Sequence, residues 1–353
     1  MHRVLIVDDS PTSRAVLAGI LTEEAGFEVI GYAHNGQEAI TKAKELEPDV
    51  ITMDINMPIM DGLDATKEIM IESPTPIVIV SASSRAQEVE TTMQALRAGA
   101  LTVIMKPTGP NAPNFDAMSK EIVDTVGAMA KVFVIRHRRR LKPAASPASQ
   151  ADTTAAAIPK VPTGKIQVIG VVASTGGPPA LAKLLGQLPA DFPVPLLLVQ
   201  HIVPSFVNGF ANWLNSVTPL TVKLAVDQER VENGTVYVAP QDMHMGVTRS
   251  RRIRLSDEPA IGGFRPAGTH LFSSLAENLG QNAAGVILTG MGQDGFDGLQ
   301  KMHANGAPTI AQDESSCVVY GMPRVAVEGG VIDSVLPLDQ IAAALVQLAC
   351  VET

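Results

Sequence analysis

The chain has 353 residues, 46% of them hydrophobic and 18% charged, which is too long for one average core and comfortable for two soluble domains. A formal net charge of -9 argues against a protein whose main task is holding nucleic acid, and two cysteines are too few for a disulfide framework or a thiolate metal cluster. Arg3 is followed at once by an alternation that ends in two aspartates, not by an apolar leader, so a cytoplasmic protein with no direct membrane insertion is expected.

The first apolar run, Val4 to Val7, finishes in Asp8-Asp9-Ser10. Pro11 and Thr12 can then start a helix with Val16, Leu17, Ile20 and Leu21 on its apolar face. A second strand, Phe27 to Ala33, leads through Asn35-Gly36 to a helix over Glu38 to Leu46. The third strand, Val50 to Met53, ends in Asp54. Ile77 to Val80 ends in Ser81-Ala82, and Leu101 to Met105 ends in Lys106-Pro107. Strands alternating with helices imply a parallel sheet whose carboxyl ends share one edge. Asp8, Asp9 and Asp54 converge there, either as solvated loop acids or as oxygen ligands that suit Mg²⁺.

A helix is expected from Asp116 to about Ile135, closing a first domain over 1–135. The Arg136, Arg138, Arg139, Arg140 and Lys142 cluster and the Pro/Ala/Thr-rich tract after it read as a flexible linker, 136–164. The cluster has no interleaved aromatics and reads as a solvated helix end or an interdomain contact, with no nucleic-acid partner.

A second domain, 165–350, opens with the strand Val168 to Ala173, the turn Ser174-Thr175-Gly176-Gly177 and an apolar-patterned helix over Ala180 to Leu188. Ser174 then stands at the carboxyl end of a strand, beside the free N–H groups of a helix start. It is either a nucleophile next to an anion-stabilising site or a simple cap. The glycines lack G-x-G-x-x-G spacing, and no Gly-Lys-Ser/Thr follows. His201 follows the strand Pro195 to Gln200, and Asp242 and His244 follow Val236 to Ala239. Asp294 lies in Gly290-Met291-Gly292-Gln293-Asp294-Gly295 after Ala284 to Thr289. If these strands are parallel neighbours, one edge carries nucleophile, base and orienting acid. His244 is a rival to His201 as base, and Cys317, beside Val318 and Val319, reads as a buried small hydrophobe.

The first domain resembles response-regulator receivers in Asp8-Asp9, in Asp54-Ile55-Asn56-Met57-Pro58-Ile59-Met60-Asp61-Gly62, in Ser81 and in Lys106-Pro107. That resemblance implies a flavodoxin-like fold and a phosphoryl group accepted at Asp54 from a chemotaxis histidine kinase. It also implies Mg²⁺ held by Asp8, Asp9, Asp54 and the Asn56 carbonyl, with support from Ser81 and Lys106. Val103-Ile104-Met105 stands where many receivers carry an aromatic switch.

Residues 165–350 resemble the catalytic domain of the chemotaxis protein-glutamate methylesterase family. The match rests on Ala173 to Gly177, Gln200-His201-Ile202, Val236 to Pro240, Gly285 to Gly295 and Ala311 to Pro323. The resemblance implies a doubly wound α/β/α domain with Ser174 as nucleophile, His201 as general base and Asp294 as its orienting carboxylate. Backbone N–H groups around Thr175, Gly176 and Gly177, with Met291 nearby, are the oxyanion candidates. The implied reaction is hydrolysis of glutamyl methyl esters on methyl-accepting chemoreceptors, with deamidation of receptor glutamines, no cofactor for either, and recruitment to membrane-bound receptor arrays. The implied control is a receiver that covers the cleft until phosphorylated. A receiver-controlled binding module without catalysis, or an esterase serving a non-flagellar pathway, are the other readings. Two stretches depart from the family pattern, His201-Ile202-Val203-Pro204 and Gly268-Thr269-His270, and the second is expected to reshape the substrate rim without touching the triad.

Overall fold

The computed structural model describes residues 1–81, 94–96, 98–107, 109, 112, 115–132 and 165–350. The chain divides into two compact units, Met1–Asp152 and Thr153–Thr353. The expected linker, 136–164, lies outside the described residues.

In the first unit β1 (His2–Val7), α1 (Pro11–Ile20), β2 (Phe27–Ala33), α2 (Gly36–Leu46), β3 (Val50–Met53), α3 (Gly62–Glu72), β4 (Ile77–Ser81), β5 (Thr102–Met105) and α4 (Phe115–Met129) follow in order. The sheet runs β2-β1-β3-β4-β5 with every pair parallel, the flavodoxin-like order whose switch point lies between β1 and β3. Capping explains the helix starts: Ser10 accepts from the Ser13 N–H ahead of Pro11, and Asn35 accepts from the Glu38 N–H. The Asn35 cap starts α2 two residues before the expected Glu38. The last helix ends at Met129, short of the expected Ile135. There Lys131 and Val132 donate to Ala128 and Met129, i to i-3 bonds that tighten the last turn out of α-geometry.

The second unit contains β6 (Val168–Ala173), α5 (Gly177–Gly186), β7 (Leu196–Gln200), α6 (Val207–Val217), β8 (Thr221–Leu224), β9 (Thr235–Val238), β10 (His244–Val247) and β11 (Ile253–Ser256). Then come α7 (Gly268–Asn278), β12 (Ala283–Ile287), α8 (Phe296–Ala304), β13 (Thr309–Gln312), α9 (Met322–Glu328), β14 (Ser334–Leu336) and α10 (Leu338–Ala349). Seven strands form one parallel sheet, β14-β13-β12-β6-β7-β9-β8. β6 sits between β7 and β12, so the chain winds outward from it in both directions and leaves a crevice at its carboxyl end. Complete burial of β6, β7 and β12 accounts for their unbroken apolar runs, since helices cover a parallel sheet on both faces. The antiparallel pair β10–β11 stands outside this sheet and packs on α7, where the Ser274 hydroxyl accepts from the Val247 N–H.

Candidate active site

Ser174 and His201 leave the sheet level with each other. Ala173 is in register with Gln200 on the adjacent parallel strand, so the next residue on each strand opens onto the same edge. The Ser174 N–H donates to the Thr289 carbonyl, and its own carbonyl accepts from the Gly177 N–H and from Gln200 Nε2. The same Gln200 amide also donates to the His201 carbonyl, at 2.8 Å. One buried side chain thus fixes the backbone of both residues.

This turn explains its own glycines. Gly176 has φ 76° as the cap of α5, a left-handed conformation that costs glycine little. A Cβ on Gly177 would stand 2.0 Å from Gln200 Oε1, inside any permitted contact. With Pro178 accommodated in the first turn, α5 begins at Gly177 and not at the expected Ala180.

Asp294 comes from the loop after β12. The strand ends at Ile287 and not at the expected Thr289, because the Thr289 N–H turns to the Gln312 side chain and its hydroxyl donates to the Thr175 carbonyl. The chain then passes Gly290 and Met291 and brings Asp294 Oδ2 to 2.9 Å from His201 Nε2. Oδ2 also accepts from the Gly268 N–H at 2.6 Å, and Oδ1 from the Thr269 N–H at 2.9 Å. Burial opposes ionisation of Asp294, but the His201 hydrogen bond and charge, with the two backbone donors, hold its carboxyl below the usual aspartate value. Phe264 stacks on the His201 ring, with centroids 4.1 Å apart and planes 7° from parallel.

His201 Nδ1 is buried and has no hydrogen-bond partner among the described residues. With Nε2 committed to Asp294, Nδ1 is the ring nitrogen left without a partner among the described residues. The structure therefore brings His201 and Asp294 into direct contact and sets Ser174 on the same edge. Among the oxyanion candidates, Gly177 is removed as a donor because its N–H already bonds the Ser174 carbonyl. Thr175, Gly176 and Met291 retain N–H groups without an acceptor among the described residues.

The 264–272 run corrects one expectation. It does touch residues expected to form the triad, because Gly268 and Thr269 hold the Asp294 carboxylate through their backbone and Phe264 stacks on His201. Backbone donors leave no side-chain signature, which is why motif reading assigned this run to the rim alone. His244, the rival base, is fully buried. Its Nδ1 accepts from the Ala267 N–H and its Nε2 donates to the Pro259 carbonyl, at 3.2 and 3.1 Å, so neither nitrogen is free. Cys317 is part-buried, and burial first, then Asp313, pushes its thiol up to about 12.

In the first unit Asp8 and Asp54 are buried and Asp9 is exposed. One carboxylate oxygen from each lies within 4.8 Å of the others. Lys106 Nζ, at the end of β5, is 2.8 Å from both Asp8 Oδ2 and Asp54 Oδ2. Burial lowers the Lys106 affinity for its proton, but the two carboxylates more than offset this and raise its pKa. Asp54 is raised to about 6, chiefly by burial, against the pull of Lys106. Ser81 is buried at the end of β4, and Asn56 is exposed just past Asp54. Three converging hard oxygens, one of them on a carboxyl that burial makes reluctant to ionise, fit a divalent cation such as Mg²⁺.

No helix among the described residues is long and apolar enough to cross a membrane. Residues 169–345 match the family described as CheB methylesterase, and residues 4–112 match the response regulator receiver domain. The chain is 47% identical to a protein-glutamate methylesterase/protein-glutamine glutaminase of Myxococcus xanthus (strain DK1622), over 97% of this chain and 96% of the relative. It is also 47% identical to one from Anaeromyxobacter dehalogenans (strain 2CP-C), over 97% of each. Among solved structures it is similar to the Thermotoga maritima CheB methylesterase catalytic domain, with TM-score 0.51 and 38% identity, covering 52% of this chain and all of that one.

Proposed function

Because this chain belongs to the CheB methylesterase family and carries a receiver domain ahead of the catalytic one, we propose that it hydrolyses glutamyl methyl esters on methyl-accepting chemoreceptors under control of phosphorylation at Asp54. The single observation that carries the catalytic reading is the buried His201–Asp294 contact through Nε2, with Nδ1 unpaired beside the Ser174 strand end. A binding module without catalysis has no use for such a pair.

In the proposed reaction His201 Nδ1 takes the hydroxyl proton as Ser174 Oγ attacks the acyl carbon of the ester. Relative to the serine-protease template, in which the aspartate binds Nδ1 and the serine faces Nε2, the two nitrogens exchange roles. Asp294, kept ionised by three donors, stabilises the imidazolium through Nε2–H. The N–H groups of Thr175, Gly176 and Met291 are the donors available to the tetrahedral oxyanion. Collapse expels methoxide, which leaves as methanol with the proton from Nδ1. Water then loses a proton to Nδ1 and attacks the acyl-serine, giving glutamate and free Ser174. Attack on a glutamine side chain follows the same course with ammonia as leaving group.

At the receiver site Asp8, Asp9, Asp54 and the Asn56 carbonyl would hold Mg²⁺, which when bound neutralises charge on the transferring phosphoryl group. Lys106, 2.8 Å from Asp54 Oδ2, would pair with a phosphoryl oxygen on Asp54, and Ser81 would donate its hydroxyl to another. A chemotaxis histidine kinase would be the phosphodonor, and receptor arrays at the membrane the place of work. Control by the receiver amounts to a shift between less and more active populations, and a coupling of about 1–3 kcal/mol changes the active fraction about 5- to 150-fold. Initial rates of methanol release from methylated receptor, with and without a small phosphodonor, test this reading. The wild type should accelerate and D54A should stay at the basal rate. No methanol release in either condition would refute it.

A further inference from the structure

An arginine-bearing face lies on β11 and on the segment bridged to its approach. Arg252 and Arg254 are exposed on β11 and its approach, with buried Ile253 pointing the other way between them. Arg230 is exposed too, and it stands directly opposite Arg252 in an antiparallel bridge, while its neighbour Val231 is buried. The three guanidinium groups therefore share one face. None of them forms an ion pair within 4.0 Å among the described residues, although backbone donors, joined by the charge of Arg254, hold the Asp227 carboxyl below its usual value. Arg252 donates one N–H to the Gln228 carbonyl, and the nearby Asp227 carboxylate accepts from the Leu255 N–H. Like charges directly opposite on paired strands are destabilising, and this pair persists in a chain whose net charge is -9.

The chain leads from β11, which ends at Ser256, to Phe264, which stacks on His201. Ser256, two residues past Arg254, is in register with His244, and His244 accepts from the Ala267 N–H immediately before the two N–H groups that hold Asp294.

We infer that Arg230, Arg252 and Arg254 dock a polypeptide segment bearing clustered carboxylates, namely the demethylated stretch of the esterase's own protein substrate. The choice of partner rests on the methylesterase reading: each turnover converts a neutral ester into a carboxylate, so the substrate segment becomes more acidic as the reaction proceeds. Spacing agrees. Cβ atoms of the Arg230–Arg252 pair are about 5 Å apart and residues two apart on a strand about 7 Å, while carboxylates three or four apart on a helix have Cβ atoms about 5–6 Å apart. No apolar side chain stands between the arginines on this face to enter a lipid surface. The docked product would hold neighbouring esters of the same segment near Ser174.

Binding of the full chain to a helical peptide with glutamates at every third or fourth position, and to its glutamine counterpart, tests the inference by fluorescence anisotropy at low and moderate salt. The glutamate peptide should bind more tightly than the glutamine one, and salt should weaken it. The R230Q/R252Q/R254Q variant should bind it about 3- to 150-fold more weakly, the loss of three exposed charge pairs, with an unchanged circular dichroism spectrum and unchanged turnover of a small glutamyl methyl ester. Equal affinity of wild type and variant for the glutamate peptide overturns it. So does retention of the wild type on vesicles of phosphatidylcholine and phosphatidylglycerol without binding to the peptide, which assigns the face to a membrane surface. Failure of the wild type to cleave the small ester counts against the methylesterase reading alone, because the binding arm does not depend on turnover.

Discussion

Replacing Asp294 by Asn keeps the shape of the side chain and reverses its hydrogen-bond logic. The carboxylate accepts three bonds, two at Oδ2 from His201 Nε2 and the Gly268 N–H, and one at Oδ1 from the Thr269 N–H. An amide has one acceptor oxygen, so a donor must face a donor in either orientation. With the oxygen toward His201, the Thr269 N–H meets the amide NH₂. In the other orientation the NH₂ meets Gly268 and His201, and the imidazole is driven to move its proton to Nδ1, where it can no longer accept from Ser174. Loss of one or two hydrogen bonds to a charged group, at about 1.5–3 kcal/mol each, corresponds to a fall in kcat of about 10- to 10⁴-fold. The upper end matches the same replacement in the serine-protease template. Because the Asp294 carboxyl is held below its usual range, its stabilising contribution is present at neutral pH. It is lost only as pH falls below about 4, so D294N should flatten the acid limb of thermal stability. Methanol release and thermal unfolding of D294N measure both. A folded D294N with kcat within about threefold of wild type would refute the reasoning.

Four further outcomes are expected. Asp54 is raised from 3.8 to about 6 by burial, so its protonated form favours the fold, and this contribution disappears as pH rises from about 4 to 6. D54N should therefore gain on the order of 3 kcal/mol of receiver stability at pH 7.5 in chelator and less in Mg²⁺, measured by urea unfolding. Phosphoryl labelling of Asp54 by a small donor should require Mg²⁺, and labelling in EDTA would contradict the carboxylate site. H244Q, which supplies an acceptor and a donor, should retain turnover within about tenfold, whereas H201Q should lose about 10³-fold or more; the reverse ranking in folded variants would make His244 the base. Cys317, with its thiol pushed up to about 12, should resist iodoacetamide at pH 8 while exposed Cys350 reacts, as peptide mass mapping will show.

Much of this site was legible because parallel sheets put chemistry at strand ends. Ser174 and His201 follow uninterrupted apolar runs, and the Ala173–Gln200 register makes them neighbours with no further information. The same logic located Asp8, Asp54 and Lys106. Asp294 was harder, since it lies seven residues past Ile287 and needs the Thr289–Gln312 bond to turn its loop back. What sequence could not reveal is mostly backbone and orientation. The Gly268 and Thr269 donors have no side-chain signature, and the His201 nitrogen that meets Asp294 depends on ring rotation alone. The four-residue strands β10 and β11 also escaped, because Gly246 interrupts the first and the second offers only two apolar positions, Ile253 and Leu255, directly after Arg251 and Arg252.

Methanol release from methylated receptor by full-length wild type and S174A, after phosphorylation and with folding checked by circular dichroism, tests the central claim most directly. The account predicts sustained release by the wild type and loss of turnover to the background rate in S174A. Near-wild-type release by a folded S174A would contradict it.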